Sequence, residues 1–169
     1  TFDKPGERDA RTELFGGRLN ALAHAHRLIS AEGWEKAYLA DVIRQTLPIE
    51  TGLQTRISVS GPPVILRPEQ AVTMAMAIHE LYTNAVKYGA LANTTGKVEL
   101  RWQNEADGRL ILQWVEQGGP AVSPPTRRGF GSRMIEQALV AEFDARVNLD
   151  FRPEGLSCTI ETSLARRDD

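Results

Sequence analysis

The period of the apolar positions changes several times along this chain, and each change marks an element. From about residue 12 to 31, Phe15, Leu19, Leu22, His26 and Ile29 recur by four and three. That spacing predicts a helix with a seam able to pack against another helix. Residues 1–12 ahead of it are polar and charged and are expected to fray. A short amphipathic helix is predicted from about residue 38 to 47, ended by Pro48. Residues 56–60 alternate like a strand, and Gly61-Pro62-Pro63 turns the chain into a second short strand over 64–67. Pro68 is well placed to open a long helix, because its missing N–H costs nothing in a first turn. On that helix Ala71, Met74, Ala75, Ile78, Leu81 and Ala85 crowd one side, which must be the core face.

Two longer strands come next. Val98, Leu100 and Trp102 alternate with Glu99, Arg101 and Gln103, and Leu110, Leu112 and Trp114 form the inward set of the following run. Asp107-Gly108 between them is a hairpin signal. Residues 118–131 are rich in Gly and Pro and read as a loop, after which Met134, Ile135, Ala138, Leu139 and Phe143 predict another amphipathic helix. Val147, Leu149 and Phe151, a Pro153-Glu154-Gly155 turn, and a strand carrying Leu156, Cys158 and Ile160 close the chain. No internal repeat is present. The sum is an α/β two-layer sandwich, a mixed sheet of roughly four to six mostly antiparallel strands with helices on one face. A helical segment precedes it and does not obviously share its core.

Composition narrows the function classes. At 169 residues, 41% hydrophobic and 25% charged, the chain reads as one soluble globular domain with a helical appendage. A net charge of −2 gives no generic basic surface, so no nucleic-acid partner is expected. The single cysteine, Cys158, rules out an internal disulfide, fits a reducing compartment, and reads as a small core residue. No apolar run approaches the ~18 residues of a membrane span, so direct membrane insertion is not expected. A chain that opens at Thr1 rather than Met is expected to be a piece of a longer protein.

Candidate chemistry begins on the long helix. At about 100° per residue, Glu80, Asn84 and Lys87 fall within an arc of roughly 60°. A base-capable carboxylate, a neutral oxygen ligand for a hard cation and a phosphate-seeking cation suggest a Mg-nucleotide site. An isolated helix with a solvated face would carry the same stripe. Two loop segments complement it. In Trp114-Val115-Glu116-Gln117-Gly118-Gly119-Pro120, a carboxylate before paired glycines can accept from an amino group while a flat ring approaches the backbone. An ordinary strand-ending turn would look similar. In Thr126-Arg127-Arg128-Gly129-Phe130-Gly131-Ser132-Arg133, glycines free backbone N–H groups at a helix start, and the arginines add donors for phosphate oxygens. Neither the P-loop nor the Rossmann glycine pattern occurs.

Together the three segments resemble the nucleotide-binding boxes of the GHKL ATPases, and within them the HWE histidine kinases. The family marks are a histidine in the asparagine box, here His79 of His-Glu-Leu-x-x-Asn-Ala-x-Lys-Tyr-Gly, and Trp-x-Glu in the first glycine box, here Trp114-Val115-Glu116. The Arg-Gly-Phe-Gly-Ser-Arg run, the Arg-Pro-Glu-Gly-Leu turn and the upstream Arg18-Leu19-x-Ala21-Leu22-x-x-Ala25-His26 segment are similar as well. The resemblance covers nearly the whole chain from about Phe15. It implies the Bergerat fold of the GHKL family over residues 36–169, binding ATP and Mg2+. Residues 1–35 would be part of a helical dimerisation and acceptor segment.

The resemblance also implies roles. Asn84 would coordinate the Mg2+ that bridges the triphosphate, Glu80 would orient or deprotonate the attacking histidine, and Lys87 would contact phosphate. Glu116, where most relatives carry aspartate, would accept from the adenine amino group. Gly118, Gly119, Gly129 and Gly131 would allow close backbone approach, with Ser132, Arg127, Arg128 and Arg133 near the phosphates. His79 and Trp114 read as packing residues. Pro124 and Pro125 in a short inter-box stretch imply a reduced lid over ATP. A threonine that often helps hold adenine has two candidate counterparts, Ser157 and Thr159.

The implied activity is that of a cytoplasmic two-component sensor kinase, with phosphoryl transfer from ATP to a histidine and then to an aspartate of a response-regulator receiver domain. His24 and His26 sit in Ala-His-Ala-His-Arg, without the charged neighbours of an acceptor box. The helix carrying them looks like the second of the acceptor hairpin, so the acceptor histidine is expected before Thr1. The acceptor and sensor domains of the same protein, and a second copy of the chain, are further expected partners. A GHKL-type ATPase and a degenerate, non-catalytic binding module are the alternatives.

Overall fold

The computed structural model describes residues 37–47, 56–121 and 130–164, with the backbone alone for 130–135. The predicted helix over 12–31, His24, His26, Pro124 and Pro125 lie outside the described residues. In chain order the elements are β1 (Ala37–Tyr38), α1 (Leu39–Thr46), β2 (Ile57–Ser60), β3 (Ile65–Leu66) and α2 (Pro68–Lys87). They continue with β4 (Lys97–Asn104), β5 (Arg109–Gln117), α3 (Phe130–Phe143), β6 (Arg146–Arg152) and β7 (Gly155–Ser163).

Five strands form one sheet in the order β2-β4-β5-β7-β6. The β2–β4 pair is parallel and the other three are antiparallel. A parallel neighbour cannot be reached by a tight turn, and the connection from β2 to β4 runs through α2. The sequence expected residues 64–67 to be a further short strand. It forms, as β3, and lies outside the main sheet, pairing with β1 through Ala37↔Leu66 and Tyr38↔Ile65. A two-residue strand such as β1 leaves no periodic signal to read.

Alternation decides what the sheet shows to the helices. Val98, Leu100 and Trp102 of β4, Leu110, Leu112 and Trp114 of β5, and Leu156, Cys158 and Ile160 of β7 are all buried. They share one core with Leu39, Val42 and Ile43 of α1 and Met74, Ile78, Leu81 and Ala85 of α2. Helix α2 packs against both α1 and α3. The outward positions of the strands are polar or half-buried, which is the two-layer arrangement expected.

Local chemistry fixes the element ends. Pro68 occupies the first turn of α2, and the Gln70 side-chain oxygen accepts the Arg67 backbone N–H at 3.0 Å. The β4–β5 hairpin turns at Gly108, whose φ of 86° requires glycine-like freedom. Behind α3, Asp144 takes φ 53° and its N–H returns to the Val140 carbonyl at 3.0 Å. The Thr162 hydroxyl donates to the Phe143 carbonyl at 2.7 Å and ties β7 to the end of α3.

Cys158 sits on the helix side of β7, 2% exposed and opposite Trp114. Burial, with the Glu136 and Glu116 carboxylates adding to it, pushes its thiol up to about 12. The thiolate is the reactive form, so the native protein should resist an aromatic disulfide reagent at pH 8 and release one equivalent of chromophore on unfolding in guanidinium. Rapid stoichiometric labelling without denaturant would contradict the inward register of β7.

Candidate functional site

The three polar positions of the long helix run down its last turns, and their exposure changes along the way. Glu80 is buried at 7% exposure, Asn84 is half-buried and Lys87 is exposed. A solvated face would leave all three in water. Gln70 and Thr73 are also buried, so α2 is enclosed over more than its apolar stripe. The stripe therefore climbs out of the protein towards the end of α2, and the chain turns immediately afterwards.

That turn, residues 88–96, is held by more polar contacts than the sequence suggests. The Tyr88 N–H returns to Asn84 at 2.8 Å, and those of Gly89 and Leu91 return to Ala85 at 3.1 and 3.0 Å. The Arg56 guanidinium, just before β2, donates through Nε to the Gly96 carbonyl (2.8 Å) and through an Nη to those of Ala90 (3.1 Å) and Asn93 (2.6 Å). Asn93 Oδ1 accepts from the backbone of Thr95 and Gly96 at 3.2 and 2.8 Å. Its amide and the Thr95 hydroxyl both donate to the Gly118 carbonyl at 3.2 Å. The first glycine segment and the end of the asparagine helix are thus stapled together.

Glu116 sits at the middle of the junction, on the helix side of β5 and 3% exposed. Its Oε1 accepts the Ala90 backbone N–H and its Oε2 accepts the Trp114 indole N–H, both at 2.9 Å. Burial pushes the carboxyl above its ordinary range, and the two N–H donors pull it back down. An ionised carboxylate offers about four lone-pair positions. Two are used here among the described residues, so acceptor capacity remains.

The glycines are needed by the protein itself. A Cβ on Gly89 would lie 2.0 Å from Glu116 Oε1, and one on Gly119 would lie 2.4 Å from the Ala90 Cα. The sequence reading gave the paired glycines to an approaching ring. Gly119 first serves the approach of β5's exit to the turn after α2, which must close for Ala90 to reach Glu116.

Glu116, Gly118 and Gly119 meet the turn that follows the helix carrying Glu80, Asn84 and Lys87. The backbones of Gly131, Ser132 and Arg133 lie in the first turn of α3. Arg127, Arg128 and Gly129 lie outside the described residues. The two adenine candidates on β7 need correction. Ser157 and Thr159 pair with Val115 and Gln113, the outward positions of β5, and alternate with buried Leu156, Cys158 and Ile160. Period two turns both away from Glu116 and presents Cys158 on the helix side instead.

Trp114, read as packing only, donates to Glu116, and the i, i+2 spacing on one strand face was the available signal. Arg56 and Asn93 had no such signal, since their partners are backbone carbonyls and amides far along the chain. His79 contacts its own helix, where the Thr83 hydroxyl donates to the His79 carbonyl at 2.8 Å. A shallow hollow of about 220 Å³ lies elsewhere, lined by outward-facing Arg101, Gln103, Ile111 and Gln113 with Gly61 and Trp102. It opens on the far face of the sheet, away from Glu116.

Comparison with known proteins points to one family. Residues 1–63 match the family model described as HWE histidine kinase. The chain is 38% identical over 148 residues to a blue-light-activated histidine kinase of Brucella anthropi, covering 85% of this chain and 30% of the relative. It is 35% identical over 147 residues to the protein of the same name in Brucella ovis, with the same coverage. The chain therefore spans under a third of the length of these relatives. Among solved structures it is similar to the histidine kinase domain of the Erythrobacter litoralis EL346 blue-light activated histidine kinase. The TM-score there is 0.70 at 19% identity, over 93% of this chain and 82% of that one. The mycobacterial sensor histidine kinase MprB superposes with TM-score 0.56 at 19% identity, over 76% of this chain and 95% of its own.

Arg56 supplies the test of the junction. Replacing it with alanine strips three carbonyls of a charged donor and should lower stability by roughly 1–3 kcal/mol. Arg56→Lys should restore little of this, because an ammonium cannot span three divergent acceptors as a planar fork does. Equal melting temperatures for the lysine variant and the parent would show that the turn does not depend on the fork.

Proposed function

The chain belongs to the HWE histidine kinases, and from that premise we propose that residues 36–169 are the ATP-binding catalytic domain of a two-component sensor kinase. The reaction moves the γ-phosphoryl group of Mg-ATP to a histidine on the kinase's helical acceptor region. From there it passes to an aspartate of a response-regulator receiver domain. Residues 1–35, outside the described residues, are assigned to part of the acceptor and dimerisation segment on the family likeness alone. Both ATP and a receiver domain are cytoplasmic, and among the described residues no helix is long and apolar enough to cross a membrane.

One observation carries this reading. A buried carboxylate with lone pairs to spare, Glu116, sits where the helix bearing Glu80, Asn84 and Lys87 ends. Such an acceptor fits the exocyclic amine of adenine, which arrives with two N–H donors. Among the described residues no three His, Cys, Asp or Glu side chains group into a metal cage. A Mg2+ carried in by its nucleotide needs none, since phosphate oxygens and water fill most of its octahedron.

The Mg-nucleotide supplies the electrophilic phosphorus and a divalent charge; the chain supplies position and field. The Asn84 carboxamide oxygen offers a neutral ligand from a half-buried site. Lys87, exposed at the end of the stripe, places an ammonium where phosphate charge accumulates. Glu80, buried two turns before Lys87, orients the attacking imidazole and takes the proton that leaves its nitrogen as the P–N bond forms and the bond to the leaving ADP breaks. The residues opening α3, with Arg127, Arg128 and Gly129 ahead of them, hold the phosphate chain through backbone N–H groups and guanidinium donors.

Two substitutions separate binding from transfer. Asn84→Ala should abolish Mg-dependent ATP binding by calorimetry, and an unchanged affinity would refute the site. Glu80→Gln should keep ATP affinity while slowing appearance of acid-labile label on a separately supplied acceptor helix by about 10²–10⁴-fold. Steady ATP hydrolysis with no acceptor present would point to an ATPase instead.

A further inference from the structure

We infer that Trp114 is a positioning residue that sets purine selectivity, its indole N–H holding the Glu116 carboxylate in place as an acceptor for a 6-amino rather than a 6-oxo purine. The inference rests on the reading of Glu116 as the base-contacting group. It goes beyond that reading by giving the neighbouring tryptophan a role in choosing the nucleotide.

The argument starts from what a buried carboxylate can do. A glutamate side chain has three rotatable bonds, and a carboxylate held at one oxygen can still swing. Here the two oxygens are held by donors on different elements, the Ala90 backbone after α2 and the Trp114 indole on β5, each at 2.9 Å. Together they fix the plane of the group and the directions of the remaining lone pairs. Trp114 is itself fully buried and can satisfy its indole N–H inside the core only by finding such an acceptor. The pair is mutually required.

Selectivity follows from hydrogen-bond polarity. The ionised carboxylate is acceptor-only, so it pairs with an amino group and repels a carbonyl oxygen. A protonated carboxyl would carry an O–H donor and could pair with a 6-oxo group. Burial favours the protonated form and the two N–H bonds oppose it. Removing the indole donor both frees the carboxylate to turn and weakens that opposition. A site built on a fixed hydrogen bond discriminates strongly against an analogue that leaves it unpaired. One whose acceptor wanders does not.

The test measures Mg-ATP and Mg-ITP binding by calorimetry, since hypoxanthine replaces the 6-amino group with an oxygen and keeps the purine shape. In Trp114→Phe the ratio of ATP to ITP affinity should fall about tenfold. In a Glu116→Gln background the same substitution should leave that ratio unchanged, because Trp114 acts only through the carboxylate. Should the phenylalanine variant fail to fold, site-specific incorporation of 3-benzothienylalanine at position 114 keeps the bicyclic shape and removes only the N–H. A variant that weakens both nucleotides equally, or one whose effect persists in the Glu116→Gln background, overturns the inference and leaves Trp114 a packing residue. Failure of the unsubstituted chain to bind either nucleotide instead sinks the nucleotide site, and this inference with it.

Discussion

The arrangement at the end of α2 depends on one buried carboxylate. Moving a charged group out of water costs several kcal/mol unless hydrogen bonds replace its hydration. Glu116 recovers that hydration from donors on two different elements, the Ala90 backbone in the turn after α2 and an indole two positions back on its own strand. The Ala90 donor reaches it only where β5 and the end of α2 close to backbone contact. That closure is what makes glycine obligatory at 89 and 119, where any Cβ would lie inside the van der Waals radius of the opposing atoms. The same closure sets the end of the helix that carries Asn84 and Lys87 against the exit of β5.

Around this contact the turn over 88–96 works as a rigid wall. Turn carbonyls normally face water. Here three of them accept from Arg56, and Gly118 accepts from both Asn93 and Thr95. A loop fixed this way need not be ordered when a ligand arrives, so less of the binding free energy is lost to conformational entropy. The enclosed lower part of α2 has a matching consequence. Glu80 is 7% exposed while Lys87, two turns on, is exposed, so one helix face passes from a screened environment into water. On the proposed reading, a base gains from the first and a cation that attracts a polyanion from solvent gains from the second.

Much of this was legible in the sequence, and what was not has a common cause. The period of two along β4, β5 and β7 and the apolar stripe of α2 are local signals repeated many times, and they specified the layers, the hairpin at Gly108 and the start at Pro68. The order of strands, including the parallel β2–β4 neighbour, is a long-range property that alternation does not encode. The ribbon of β1 and β3 is too short to have a period. At the site, residues that stand out by their own chemistry can be named from the sequence, while those defined by their partners cannot. Arg56 looked like any strand-flanking arginine, and Asn93 like any turn residue. The choice between Ser157 and Thr159 shows a subtler failure. Both are candidates only as counterparts of a family threonine, whereas the period of β7 puts them on one outward face and gives the helix side to Cys158.

The Trp-x-Glu sequence illustrates how two residues become one unit through strand geometry. Residues two apart on a strand share a face, with their Cα atoms about 6.6 Å apart along it. An indole folded along the strand brings its N–H to the carboxylate of the second residue, and the observed 2.9 Å contact is that meeting. A carboxylate one methylene shorter would be drawn back towards the strand by about 1.5 Å. It could not keep both the indole and the Ala90 N–H, which lies across the gap on the turn after α2. Side-chain length at position 116 and the aromatic at 114 are therefore set by the same spacing between strand and turn. Aspartate in place of Glu116 would need the turn to move closer, yet Gly89 and Gly119 already stand at contact with no side chain left to remove.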